Sequence, residues 1–130
     1  MATRTNISSG APYEPIFGYS RAVKVGNQVF VSGSTAIKPD GSVEGVGDAY
    51  GQTVAALRTI EKALQQAGAS LTHVVRTRMF ATNLAHTDAI GKAHAEFFGT
   101  IRPAATLVEI SRLVHPDMLI EVEADAVISD

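Results

Sequence analysis

The sequence predicts one α+β domain in which two helices pack on the same face of a single β-sheet. Two observations carry this prediction. The elements run in the order strand, hairpin, helix, strand, helix and two strands, and both helical segments are apolar on one side only. The chain has 130 residues, which is the length of one domain, so residues 1–130 are taken as a single unit.

A β-hairpin is predicted in the first third of the chain. Residues 5–15 are polar and rich in Ser, Gly and Pro, which fits either a short edge strand or a loop. Residues 19–25 alternate between apolar and polar side chains, and residues 28–32 form the partner strand. Gly26 and Asn27 between them are typical of a two-residue hairpin turn.

Two later segments have the spacing of amphipathic helices. Residues 48–67 form the first, and Gly68 fits its C-terminal cap. Residues 86–98 form the second, which ends at Gly99. The apolar stripes are Val54, Leu57, Ile60 and Leu64 in the first helix and Ile90, Ala93 and Phe97 in the second, while Arg58, Lys62 and Gln65 should face water.

Three further strands are predicted at residues 73–82, 105–110 and 120–128. The last strand alternates most clearly, so Glu121, Glu123 and Asp125 share one of its faces. The strands at 74–81 and 105–110 are expected to be apolar on both sides. The second face of the sheet should then also be buried, against other copies of the chain.

Composition excludes several classes of protein and site. The absence of cysteine rules out disulfides, thiol catalysis and thiolate metal ligands. The 11 basic residues are scattered among 13 acidic ones, so we expect no nucleic-acid partner. No apolar run approaches the roughly 18 residues of a membrane span, and the N-terminus lacks the apolar core of a secretory signal. We therefore expect a cytoplasmic protein with no membrane association.

The sequence shows no metal or cofactor motif. His86 and His94 lie eight residues apart on one helix, and not at the four-residue spacing of helical zinc pairs. Gly45, Gly47 and Gly51 precede a helix, but their spacing does not match the dinucleotide fingerprint. We expect neither a metal nor a cofactor.

Short strings between residues 18 and 127 resemble the RidA/YjgF family of imine deaminases, also called the endoribonuclease L-PSP family. Each string is weak alone, but their joint order and spacing are specific. They include Gly18-Tyr19-Ser20, Val31-Ser32-Gly33, Ala67-Gly68-Ala69-Ser70-Leu71, Arg102-Pro103-Ala104 and Ile120-Glu121-Val122-Glu123-Ala124.

The resemblance implies a chorismate-mutase-like fold with a mixed sheet, and a homotrimer with one ligand cleft at each subunit interface. The activity it implies is hydrolysis of reactive imines and enamines to a keto acid and ammonia. Glu121 matches the glutamate that serves the hydrolysis with a bound water, Tyr19 matches a tyrosine that lines the cleft, and Gly33 falls among the substrate-binding positions.

The sequence departs from the family pattern at one position. In active deaminases an arginine that clamps the substrate carboxylate follows a Pro-Ala pair, whereas here Ala105 follows that pair. A bidentate clamp of this kind is worth roughly 1.5–3 kcal/mol. Either the ligand has no carboxylate, or another cation binds it, and Arg78 is the first candidate. Alternatively, Arg78 is structural and pairs with Glu121 or Glu109.

Two classes of function remain open at this point. One is an imine or enamine hydrolase, and the other is a non-catalytic module that binds a small metabolite. Ala105 makes the cleft larger and less charged, and Leu107 on the same face makes it more apolar, which favours a neutral or aromatic ligand. A ribonuclease would need a basic groove, and none is visible.

Tyr19 has an alternative use as an interface aromatic, and Glu109 is expected to accept hydrogen bonds from backbone groups.

Overall fold

A computed structural model describes residues 3–129 and contains nine helices and strands, together with two short 3₁₀ turns. In chain order the elements are β1 Arg4–Ile7, α1 Tyr13–Phe17, β2 Ala22–Val25, β3 Gln28–Ser34, α2 Ala49–Gln66, β4 Val74–Ala81, α3 Thr87–Phe98, β5 Ala104–Glu109 and β6 Ile120–Val127. The predicted hairpin, both long helices and the three later strands are confirmed to within a few residues at their ends.

The six strands form one sheet in the order β1-β2-β3-β6-β4-β5. All neighbours are antiparallel except β4 and β5, which run parallel, so the sheet is mixed as predicted. The long helices α2 and α3 contact each other and share one hydrophobic core with the sheet. They therefore cover the same face, also as predicted. None of the helices within residues 3–129 is both long and apolar enough to cross a membrane.

Helix α2 supplies most of the helical side of this core. The side chain of Asp48 caps its N-terminus by accepting a hydrogen bond from the backbone N–H of Gly51 at 2.9 Å. Leu57, Ile60 and Leu64 are fully buried, and each such side chain contributes about 1.5–3 kcal/mol by leaving water. The opposite side of the helix is exposed, as the sequence predicts.

Strand β6 divides the protein into its two sides. Ile120, Val122, Ala124 and Ala126 are buried beneath the helices. The alternate residues lie on the other side of the sheet, which we call the open face. The acidic row of β6 therefore lies on the open face and not in the core.

The structure corrects two predictions. Residues 5–15 were expected to form a short edge strand or a loop, and the edge strand is confirmed at Arg4–Ile7, which pairs with β2. The correction is that Tyr13–Phe17 is a helix. The sequence does not indicate this helix because the segment is short and interrupted by prolines. It ends at Gly18 in the left-handed conformation that glycine favours, at φ 79°.

The second correction concerns β4, which is not apolar on both sides. Its pairing with β6 is interrupted by one extra residue between Val74 and Arg76. Beyond this bulge Arg76, Arg78 and Phe80 lie on the open face, opposite acidic positions of β6. The larger apolar side chains of the open face come from several strands and include Phe30, Phe80 and Val108.

A buried glutamine ties α2 to the segment that leads into β6. Gln52 is fully buried. Its amide nitrogen donates to the carbonyls of Gly45 at 3.0 Å and Asp117 at 2.9 Å. Its oxygen accepts from the N–H of Leu119 at 2.8 Å. One side chain thus satisfies the Asp117 carbonyl and the Leu119 N–H, and it adds a second hydrogen bond to the Gly45 carbonyl, which also accepts from the N–H of Asp48.

We expect Gln52→Leu to lower the free energy of unfolding by about 1–3 kcal/mol or more, because each buried group left without a partner costs about that much. Urea unfolding followed by circular dichroism measures the change. The matched control is Gln65→Leu, at an exposed position of the same helix, which should change stability by less than about 0.5 kcal/mol. Equal losses in the two variants would contradict this role of Gln52.

Candidate functional site

A cleft of about 450 Å³ opens beside the exposed side of β3 and β6. Three of the residues predicted from sequence line it: Tyr19, Gly33 and Glu121. Tyr13 and Phe17 of α1 form an aromatic wall, with their rings stacked at 5.2 Å between centroids. The cleft therefore combines apolar and aromatic walls with a small number of polar groups, which is typical of sites for small molecules.

A β-bulge places Gly33 in this cleft. Val31 pairs with Ala124 and Ser34 pairs with Val122, so β3 has one residue more than β6 between these two pairs. Bulges of this kind bend a strand and redirect its groups, and they are frequent next to active sites. A Cβ atom on Gly33 would lie 2.7 Å from Cδ of Glu121, closer than carbon atoms can approach. Only glycine leaves room for the glutamate at this point.

Glu121 lines this cleft and is the carboxyl group there with a raised pKa. Burial raises its pKa above the ordinary value, the positive charge of Arg21 opposes the rise, and the neighbouring Glu123 adds to it. Because the folded-state pKa is the higher one, folding favours the protonated form, and this contribution to stability is lost as pH rises through the folded pKa. A carboxyl group whose pKa is raised in this way gives and takes protons more readily than an ordinary exposed glutamate does.

Arg21 is a cleft residue that the sequence interpretation missed. Its Nη1 donates to the carbonyl of Gly33 at 2.6 Å, and its Nη2 lies 3.4 Å from the hydroxyl oxygen of Tyr19. Its guanidinium also lies over the Tyr19 ring, 5.5 Å from the centroid. The available signal was its position directly after the Gly18-Tyr19-Ser20 string, two residues beyond Tyr19.

Arg78 is held by two acids of the open face. Its Nη1 lies 3.2 Å from Glu123 and 3.1 Å from Asp125. Arg78 therefore pairs with acidic side chains, as its structural alternative predicts, but these acids are Glu123 and Asp125 and not Glu121 or Glu109. These side chains are partly exposed, so each pair is worth at most about 1 kcal/mol. Glu109 accepts a hydrogen bond from the N–H of Leu84 at 2.9 Å, which confirms its predicted role.

Ala105 and Leu107 lie away from this cleft within one protomer. They are on the edge strand β5, paired with Thr77 and Met79 of β4, on the helix side of the sheet. Leu107 packs against the main core. A single protomer therefore brings Tyr19, Gly33 and Glu121 together but keeps the two β5 residues apart from them. The roles of Ala105, Leu107 and Arg78 toward a ligand stay predictions.

Metal-ligand chemistry is not supported by the described side chains. Within residues 3–129, no cluster of three or more His, Asp or Glu is arranged to hold a metal ion. His94 is occupied by a bond to the hydroxyl of Thr77 at 2.9 Å, and burial lowers its pKa.

Comparison with known proteins gives a consistent result over almost the whole chain. The family model described as endoribonuclease L-PSP matches residues 9–128. The 3-aminoacrylate deaminase RutC of Acinetobacter baylyi is 38% identical over 92% of this chain and 94% of its own length. A RutC family protein of Pyrococcus abyssi is 39% identical over 97% of this chain and 98% of its own.

Solved structures extend this similarity to the fold. A Mycobacterium tuberculosis protein described as a member of the YjgF/YER057c/UK114 family is 45% identical and superimposes with a TM-score of 0.89. The match covers 97% of this chain and 100% of the other.

We expect Gly33→Ala to displace the Glu121 side chain and to lower the free energy of unfolding by about 0.5–1.5 kcal/mol, the cost of moving a flexible side chain off its preferred rotamer. Thermal and urea unfolding measure the loss. In a Glu121→Ala background the added methyl group meets no carboxyl group, so the same substitution should cost much less.

The matched control for this prediction is Gly91→Ala, on the exposed side of α3, where an added Cβ meets nothing within 4 Å. That change should stabilise the protein by about 0.5–1 kcal/mol, because alanine favours the helix over glycine. If Gly33→Ala lowers the free energy of unfolding equally in the wild type and in the Glu121→Ala background, the added methyl group does not clash with the carboxyl group.

Proposed function

Since the chain belongs to the RidA/YjgF family, also described as endoribonuclease L-PSP, we propose that it binds a small imine, enamine or related nitrogen metabolite and hydrolyses it in the cleft around Glu121. The observation that carries this proposal is a mostly buried carboxyl group with a raised pKa that faces a cleft of about 450 Å³. The deaminase named among the relatives supports the reaction class.

The proposed chemistry needs only water and one acid–base group. As a water oxygen attacks the imine carbon, the carboxylate of Glu121 accepts the proton that the water loses. The same proton then passes to the imine nitrogen, which gives a neutral amino alcohol. Glu121 next accepts the hydroxyl proton of this amino alcohol and passes it to the nitrogen as the carbon–nitrogen bond breaks, so ammonia leaves, the carbonyl product forms and the glutamate ends in its starting state. The Tyr19 hydroxyl and the aromatic wall would orient the substrate.

We propose further that the cleft is completed by neighbouring copies in a homotrimer. Apolar side chains remain exposed on the open face, among them Phe30 at 46% and Val108 at 40%. Exposed apolar patches on a sheet face favour association. In this arrangement the β5 edge of one copy, with the exposed Ala105, would approach Glu121 of another, which a single chain does not allow.

A non-catalytic binding module is the second candidate, and a specific observation favours it. The guanidinium of Arg21 is engaged by protein acceptors, Arg78 is bound to two acids, and Ala105 carries no charge. None of these side chains is available in one protomer to clamp a carboxylate. Such a cleft suits neutral ligands. Thermal-shift measurements with matched carboxylates and neutral amides would distinguish this candidate from a keto-acid-forming enzyme.

We expect the purified protein to accelerate ammonia release from imino acids generated by an amino-acid oxidase. Glu121→Gln should lower the rate by about 10²–10⁴-fold, the usual contribution of a general acid–base group. Glu44→Gln, at an exposed position, is the control and should leave the rate unchanged. If imino acids with several different side chains release ammonia no faster with the protein than in buffer alone, the hydrolase proposal is refuted and the binding module remains.

We expect sedimentation equilibrium to give three chain masses at micromolar concentration. Phe30→Glu should shift this equilibrium toward the monomer, because a charge would be buried in the proposed contact without a partner. A wild-type protein that remains monomeric under these conditions would refute the proposed assembly.

A further inference from the structure

Arg21 is an unusually buried arginine that the proposed reaction does not use directly. Only 4% of the residue is exposed. Its Nε lies 3.6 Å from Oε2 of Glu14, and Glu14 is equally buried. A buried guanidinium keeps its charge, so it requires an acid nearby. Glu14, on the helix that sequence interpretation missed, is that acid.

Glu14 is itself held in the ionised form. The hydroxyl of Ser8 donates to it at 3.0 Å, and the backbone N–H and the hydroxyl of Ser9 also donate to it. Burial works to raise the pKa of Glu14, but the hydrogen bonds from Ser9 and Ser8 and the charge of Arg21 outweigh it and hold the pKa below its ordinary value. The ion pair is therefore anchored from the side away from the cleft.

The other side of the guanidinium faces the cleft. Besides the bond to the carbonyl of Gly33, Nη1 donates to the hydroxyl of Ser34 at 3.2 Å. Nη2 lies near the Tyr19 hydroxyl. Arg21 thus connects the bulge that accommodates Glu121 with the tyrosine that lines the same cleft.

Charged and titratable groups approach Glu121 from several elements. Glu123 is on the same strand, and Arg78 of β4 neutralises part of the charge of Glu123. Tyr19 and Arg21 come from the segment that precedes β2. The exposed Arg112 lines a separate depression that also contains Glu121 and Glu123. Of the arginines in this group, Arg21 is the buried one, and positive charge acts most strongly where water does not screen it.

We propose that Arg21 is a positioning residue for Glu121. Locked by Glu14, it fixes the Gly33 carbonyl and the Tyr19 hydroxyl around the carboxyl group and provides the positive field in which Glu121 exchanges its proton. The catalytic consequence rests on the proposed function, whereas the electrostatic and geometric parts are properties of the folded chain alone.

The test is a carbon-13 NMR titration of the glutamate carboxyl groups, in which the Glu121 signal is the one absent from Glu121→Gln. In Arg21→Gln the titration midpoint of Glu121 should rise above that of the wild type, because an opposing positive charge is removed. Arg21→Lys keeps the charge and should keep the midpoint near the wild-type position. Arg112→Gln removes an exposed, screened charge and should raise the midpoint by much less than Arg21→Gln.

A second readout separates charge from geometry. Lysine cannot reproduce the planar fork of arginine, so Arg21→Lys should loosen Gly33 and Tyr19 while it preserves the field. If the imine hydrolysis occurs, kcat should fall about a hundredfold in Arg21→Lys, which is the cost of misplacing a catalytic group by about an ångström. The pH at which the rate changes should stay near that of the wild type.

If Arg21→Gln does not fold, Glu14→Gln combined with Arg21→Gln removes both charges of the pair and leaves no buried ion unpartnered. The midpoint of Glu121 should still rise, since its pKa responds to Arg21 and not to Glu14. A folded Arg21→Gln or double variant with an unchanged or lower midpoint overturns the proposal. If the Glu121 midpoint shifts as expected but the protein hydrolyses no imine, the positioning role of Arg21 is supported and the hydrolase proposal is rejected.

Discussion

Strand β6 imposes the constraint on which the rest of the structure depends, because it is paired on both sides and its side chains alternate without interruption. Its apolar set is buried beneath α2 and α3, so the pairing register fixes which residues enter the core. A slip by one residue would bring three carboxyl groups into that core. The same register therefore places Glu121, Glu123 and Asp125 together on the open face.

The three acids of β6 then meet different surroundings, and this gives them different roles. Glu123 and Asp125 share Arg78, which reduces the repulsion between them. Glu121 has no such partner among the hydrogen bonds of the described residues, and it faces the β3 bulge instead. Desolvation without a direct ion pair is what raises its pKa. A row of like charges thus contains a structural pair and one reactive candidate.

The N-terminal segment before β2 completes the site from outside the sheet. Glu14 on α1 compensates the charge of Arg21, which allows an arginine to remain buried beside the cleft. The same short helix supplies Tyr13 and Phe17 to the cleft wall. The same segment therefore contributes both the charge partner of Arg21, which bonds the Gly33 carbonyl, and the aromatic wall of the cleft.

Local periodicity in the chain was enough to predict the hairpin, both long helices and the alternating strand, and short strings in order were enough to indicate the family. The same strings predicted that Tyr19, Gly33 and Glu121 line a cleft, and all three do so. The contacts of Arg21 and Arg78 and the existence of α1, in contrast, depend on the folded chain. Those outcomes follow from two bulges and from a buried ion pair between separate segments, and such pairings of distant residues leave no periodic signal in the chain.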